Sequence, residues 1–238
     1  MRDVSFLWDL DGVLTDTSHM HKIAWITILS EYVPDCSHAW LEDQFIRCFS
    51  GVPRIVGIKR FLANSSVRLA SDLDLEKIAD EIASKKNTYF KSMLELNNKV
   101  TVFPDSFRFI KWANSAGYLN GLASQSENAE LVVSLSGLKD SLNAMATGNT
   151  AKLHNVNPKP SKDFYNHAAS ILGVNISQCI VFEDTYAGAL SAVTAGVMTC
   201  VGVARQSESV MELTAAGCDI IIKSFDQLNT FIRLKGSE

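Results

Sequence analysis

The stretch "VSFLWDLDGVLTDT", Val4 to Thr17, decides how the rest of the chain is read. Val4 to Trp8 is apolar apart from Ser5 and reads as a buried strand. Asp9 and Asp11 follow without a spacer, and Asp16 stands close behind. Carboxylates at the end of a buried strand are costly unless something compensates them. The compensation has to come from elsewhere in the chain.

From Val100 onward, short apolar runs alternate with amphipathic stretches. The runs 100–103, 118–123, 143–146, 179–182, 198–203 and 219–222 read as strands. Helical patterns lie between them at 105–116, 127–136, 161–172, 187–195 and 208–216. Each ends at a glycine (Gly117, Gly137, Gly173, Gly196 or Gly217), where a helix takes a left-handed C-terminal cap. Strands alternating with helices imply α/β architecture with a doubly wound parallel sheet, to which the strand at 4–8 belongs by its character.

Residues 17–98 differ, because their apolar positions recur at three and four. Ala24, Trp25, Ile28, Leu29 and Tyr32 form one such face. Trp40, Leu41, Phe45, Cys48 and Phe49 form a second, and Leu75, Ile78, Ala79, Ile82, Phe90 and Met93 a third. Each is one side of a helix. The expected organisation is an α/β core of 1–16 and 99–238 with an all-helical cap of 17–98 inserted after the first strand. Such an insert lands at the carboxyl end of that strand, where open α/β sheets bind ligands. It is therefore a candidate lid, with hinges expected near Asp16-Thr17 and Leu96-Lys99.

Three strand ends then converge on one edge: Asp9-Leu10-Asp11, Ser124-Gln125-Ser126 and Glu183-Asp184. Four carboxylates at one edge repel, and a hard divalent cation is the natural remedy. Oxygen-only ligands favour Mg²⁺. Lys159, in "NPKPSKDFY", adds a cation that balances charge and can hold an anion. Carboxylates, one Mg²⁺, a lysine and a hydroxyl-rich strand end suit phosphoryl transfer. Gly12 lets backbone amides approach phosphate oxygens.

Composition excludes other classes. The chain has 238 residues, 47% hydrophobic and 20% charged, with a net charge of −4. That is ample for a packed core and gives nucleic acid no electrostatic attraction. No apolar stretch reaches membrane-span length, and Asp9 and Asp11 interrupt any signal-peptide core. The five cysteines are scattered, without a C-x-x-C pair, so neither a zinc site nor a disulfide framework is indicated. The expectation is a cytoplasmic monomer with a small-molecule substrate, no nucleic acid and no membrane.

"DLDGVLTDT", "LASQS" (Leu122–Ser126), Lys159-Pro160 and "FEDTYAGALSAVTAG" (Phe182–Gly196) resemble, in order and spacing, the four motifs of the haloacid dehalogenase superfamily. The insert resembles the helical cap of the subfamily that includes β-phosphoglucomutase and many sugar phosphatases. The resemblance implies that Asp9 is the nucleophile, Asp11 the general acid/base, and Ser124 and Lys159 the phosphoryl-binding pair. It implies that Asp9, Asp184 and the Asp11 backbone carbonyl hold Mg²⁺, with Glu183 a ligand or one step removed. An aspartate at Asp11 argues against C–Cl and C–P cleavage. Trp8 stands where Phe is usual, which should alter only packing.

"TDTSHMHKIAW", "SGVPR" and "SKKNTYF" look like cap segments of β-phosphoglucomutases. That likeness implies substrate contacts for His21, Arg54 and Lys86, although Ser50 stands where that family can carry a lysine. The function expected is a Mg²⁺-dependent phosphatase for a small phosphorylated metabolite such as a sugar phosphate. The alternatives are a β-phosphoglucomutase-like mutase and a catalytically silent binding module.

Overall fold

The computed structural model describes residues 4–49, 54–64, 74–207 and 209–228. In chain order, β1 (Ser5–Trp8) precedes α1 (Ser18–Ser30), α2 (His38–Gln44), α3 (Arg54–Leu62) and α4 (Leu75–Asn97). Then come α5 (Pro104–Ser115), β2 (Leu119–Ala123), α6 (Ala129–Ser136), β3 (Ala144–Ala146), α7 (Gly148–Leu153) and α8 (Asp163–Leu172). The last are β4 (Cys179–Glu183), α9 (Tyr186–Ala195), β5 (Thr199–Val203), α10 (Ser209–Ala215) and β6 (Ile220–Ile222). By contact density the chain divides into two compact units, Met1–Asp16 with Val100–Glu238, and Thr17–Lys99.

In the first unit, six strands form one sheet in the order β3-β2-β1-β4-β5-β6, and all pairings are parallel. The order reverses at β1, so this strand lies at the switch point where open sheets bind ligands. Trp8 pairs with Leu122 on one side and Phe182 on the other. The next residues, Asp9, Ala123 and Glu183, therefore lie side by side at the carboxyl end of the sheet.

Alternation along β1 sends its side chains to both faces. Phe6 and Trp8 join Phe109, Phe182 and Phe225 on one face, with Trp8 and Phe182 ring centroids 4.4 Å apart. Leu7 joins Phe164, Tyr165, Val181 and the alanines of α8 and α9 on the other. Burial on both faces is why the strand reads as a continuous apolar run. Trp8 carries an added constraint: its indole N–H donates to the buried Asn120 Oδ1 at 2.9 Å. Replacing Phe by Trp thus changes hydrogen bonding as well as packing.

The glycines that punctuate the pattern all have φ between 71 and 90°. The segment 100–103 departs from expectation. It forms no strand; Val102 makes a single antiparallel bridge to Thr15, and Pro104 opens α5 at once. The apolar residues 100–103 thus pair with the chain leaving β1 rather than with the sheet.

The second unit has no strand among its described residues. Its core gathers Trp25, Leu29, Leu41, Phe49, Ile58, Phe61, Ile78 and Ile82. Asp74 caps α4 by accepting from the Glu76 and Lys77 N–H groups, and Asn98 ends it in a left-handed conformation with φ 44°. Leu75, expected on the apolar face, is exposed because it occupies the first turn beside that cap. Ser50 lies outside the described residues.

Candidate active site

The site is assembled from chain ends of the parallel sheet. Asp9 follows β1, and its N–H donates to Phe182 O at 3.0 Å, fastening it to β4. Glu183 is the last residue of β4, and Asp184 follows. Lys159 arrives on the loop between α7 and α8, next to a cis peptide bond at Pro160.

Lys159 is 2% exposed. Its ammonium donates to Asp9 Oδ1 at 2.7 Å, Glu183 Oε1 at 2.5 Å and Ala123 O at 2.9 Å. An ammonium has three protons, and all three are used. Burial works against its charge, but Asp9 and Glu183 outweigh it and hold the lysine above its ordinary range.

Glu183 is fully buried. Oε1 accepts from Lys159 and from the Tyr165 hydroxyl at 2.9 Å. Oε2 accepts from Asp184 N, Thr185 N and Thr185 Oγ1 at 3.1, 3.3 and 3.2 Å. With both oxygens committed, Glu183 organises its neighbours. Thr185 in turn caps α9 by accepting from Gly188 N. Gly188 is required here, because a Cβ would overlap the Glu183 carboxylate. Burial, then the charges of Glu183 and Asp9, pushes the Tyr165 hydroxyl well above its ordinary range, so it serves as a donor.

Asp9 and Asp184 carry the electrostatic load. Burial first, and the charges of Glu183 and Asp11 after it, raise Asp9 to about 8 against the pull of Lys159. Burial, then Asp9, Glu183 and Asp11, raises Asp184 well above the carboxylate range. One oxygen from each of Asp9, Glu183 and Asp184 lies within 4.8 Å of the others. Asp184 Oδ1 is buried without a hydrogen-bond partner. An oxygen-only set with a surplus of carboxylates and an orphaned buried oxygen fits a hard divalent cation.

Ser124 is buried just beyond β2 at the same edge. Its hydroxyl accepts from Ser126 N at 3.2 Å and bonds none of the four acids among the described residues. Asp11 enters a turn in which Gly12 has φ 94°, a conformation open to glycine.

The remaining candidates sit in the helical unit. Lys86, on α4, is 2% exposed. Its Nζ lies 2.7 Å from His21 Nδ1, 4.5 Å from the Phe90 ring centroid and 5.4 Å from that of Trp25. His21 stacks on Phe90 at 4.0 Å. Arg54 reaches Asn87 Oδ1 at 3.4 Å. These three residues therefore gather around one stretch of α4.

Sequence reasoning missed Tyr165, Thr185 and Gly188 around Glu183, and Asn120 beside Trp8. The Tyr165 and Asn120 contacts are tertiary, whereas Thr185 and Gly188 both stand in the last motif and act on Glu183 from within a few residues.

Known proteins share this organisation. A family model described as haloacid dehalogenase-like hydrolase matches residues 5–196. The chain is 25% identical over 236 residues to beta-phosphoglucomutase of Mycobacterium bovis, covering 93% of this chain and 90% of that protein. It is 27% identical over 197 residues to fructose-1-phosphate phosphatase YqaB of Escherichia coli, covering 82% and 94% respectively. A solved structure of beta-phosphoglucomutase from Clostridium difficile matches with TM-score 0.75 and 26% identity, covering 97% of this chain and 96% of that one. With the family model spanning most of its length, this chain belongs to the haloacid dehalogenase-like hydrolases.

Proposed function

We propose that this enzyme is a Mg²⁺-dependent phosphatase for a small phosphorylated sugar, working through an aspartyl phosphate on Asp9. One observation carries the reading. Lys159 pins Asp9 Oδ1, while Asp9 Oδ2 takes no hydrogen bond from the described residues. One oxygen is oriented and the other is left to attack.

In this reading Asp9 Oδ2 attacks phosphorus, and the P–O bond to the sugar breaks. Asp11, protonated, gives its proton to the departing alkoxide. Water then attacks phosphorus, Asp11 takes a proton from it, and the bond to Asp9 breaks to release inorganic phosphate. Ser124 holds a phosphoryl oxygen, and Lys159, its three protons committed to Asp9, Glu183 and the Ala123 carbonyl, offsets phosphoryl charge from beside Asp9. Asp9, Asp184 and the Asp11 backbone carbonyl would hold Mg²⁺, which neutralises phosphoryl charge. Glu183 is less suited as a direct ligand, because its oxygens serve Lys159, Tyr165 and the Thr185 turn.

The relative named fructose-1-phosphate phosphatase supports the reaction class and a phosphorylated sugar as substrate. The relative named beta-phosphoglucomutase favours a second reading in which a sugar hydroxyl takes the phosphoryl group. Incubation with β-glucose 1-phosphate and a trace of glucose 1,6-bisphosphate separates the two. Free phosphate supports the phosphatase; glucose 6-phosphate with little free phosphate overturns it in favour of the mutase.

A further inference from the structure

Arg205 stands just past β5, on the far side of the turn that carries Asp11. Nothing in the phosphoryl-transfer scheme above requires it, yet it makes a dense set of contacts. Its Nε donates to Gly12 O at 3.0 Å, and its Nη2 donates to Val13 O at 3.1 Å. Nη2 also donates to Ser106 Oγ at 2.7 Å, and that hydroxyl donates to Val13 O at 2.7 Å. Nη1 pairs with Asp105 Oδ2 at 3.2 Å. The guanidinium lies 3.6 Å from the centroid of the Phe103 ring.

The other side of the turn is already fixed. Leu14 N and Thr15 N both donate to Leu10 O, and Gly12 N donates to Thr15 O. These bonds close the turn but leave the Gly12 and Val13 carbonyls to find partners outside it. Arg205 supplies both through one rigid fork. Asp105 anchors the fork, and is itself held by Ser224 Oγ and Phe225 N at 2.9 Å. A planar guanidinium can grip adjacent carbonyls and an aromatic face at once; an ammonium cannot.

We propose that Arg205 is a positioning residue for the proposed acid/base, setting the turn through the Gly12 and Val13 carbonyls and so aiming Asp11 at the leaving oxygen. The inference rests on the reading of Asp11 given above. The alternative is that Arg205 only stabilises the fold through Asp105.

Leaving-group dependence separates these roles. kcat/KM reports the steps through departure of the leaving group. A p-nitrophenolate leaves without a proton, whereas a sugar alkoxide needs one. The experiment compares wild type, Arg205→Lys and Arg205→Met with p-nitrophenyl phosphate and fructose 1-phosphate, and follows hydrogen exchange over residues 10–16. The lysine variant keeps the charge, so it remains informative if the methionine variant does not fold.

The expected result is faster exchange at Gly12, Leu14 and Thr15 in Arg205→Lys. The loss in kcat/KM should be about tenfold greater for fructose 1-phosphate than for the aryl ester, a modest share of the range for general acid catalysis. Unchanged exchange overturns the inference. Equal losses on both esters also overturn it, leaving a structural role alone. A wild-type enzyme silent toward both esters counts against the phosphatase reading instead, while the exchange data still decide whether Arg205 sets the turn.

Discussion

Lys159 and Glu183 meet at 2.5 Å with almost no solvent access, on a loop and a strand that α8 separates in the chain. Removing one partner of a buried pair strands the other charge, at a cost of about 3–5 kcal/mol. Lys159→Met is therefore expected to lower stability by about that amount and to abolish turnover. Glu183→Gln keeps the shape but weakens both the lysine and the Thr185 contacts. It should cost about 1–3 kcal/mol in chemical denaturation.

Gly188→Ala tests the same cluster from the helix side. A Cβ there overlaps the Glu183 carboxylate. Overpacking of this kind costs about 1–3 kcal/mol. Thermal melts should show the loss, and turnover should fall with it because Glu183 holds Lys159 in place. A variant as stable and active as wild type would contradict the packing account.

Trp8 and Asn120 form a buried donor–acceptor pair at 2.9 Å. Trp8→Phe keeps an aromatic ring but deprives Asn120 Oδ1 of a donor, at a cost of about 1–3 kcal/mol. Asn120→Ala should show coupling to it of at least about 0.5 kcal/mol in a double-mutant cycle. Additive losses would mean the bond contributes nothing.

The acid limb of stability is expected to report Asp105. Burial raises its carboxyl, but the Phe225 N–H, Arg205 and Ser224 outweigh it and hold it below its ordinary value. A folded pKa below the unfolded one stabilises above the unfolded value of about 3.9 and loses that contribution as pH falls through the folded value. Denaturation between neutral pH and about pH 3 should therefore show a steeper acid loss in wild type than in Asp105→Asn. Parallel curves would exclude the linkage.

Much of the site was legible because it lies at strand ends. Once 4–8 and 179–182 read as parallel strands, Asp9 and Glu183-Asp184 had to share an edge, and the lysine between them had few other places to be useful. Tyr165 and Asn120 were not legible. Each acts through a side-chain contact set by how α8 or β2 docks, and no local pattern encodes that docking. The segment 100–103 misled for a related reason. Its alternation suits a strand, but Val102 finds its partner in Thr15 rather than in the sheet. Lys86 fell in phase with the apolar stripe, and burial beside His21 and Phe90 is the outcome.

The decisive step is transfer of the phosphoryl group to Asp9. Its most direct measurement is acid quenching of Mg²⁺-loaded enzyme during turnover of a phosphorylated sugar, borohydride reduction of any aspartyl phosphate, and mass spectrometry of the N-terminal peptide. Homoserine is expected at position 9 in wild type and none in an inactive Asp9→Asn variant. Turnover without modification at Asp9, or an Asp9→Asn enzyme as fast as wild type, would contradict it.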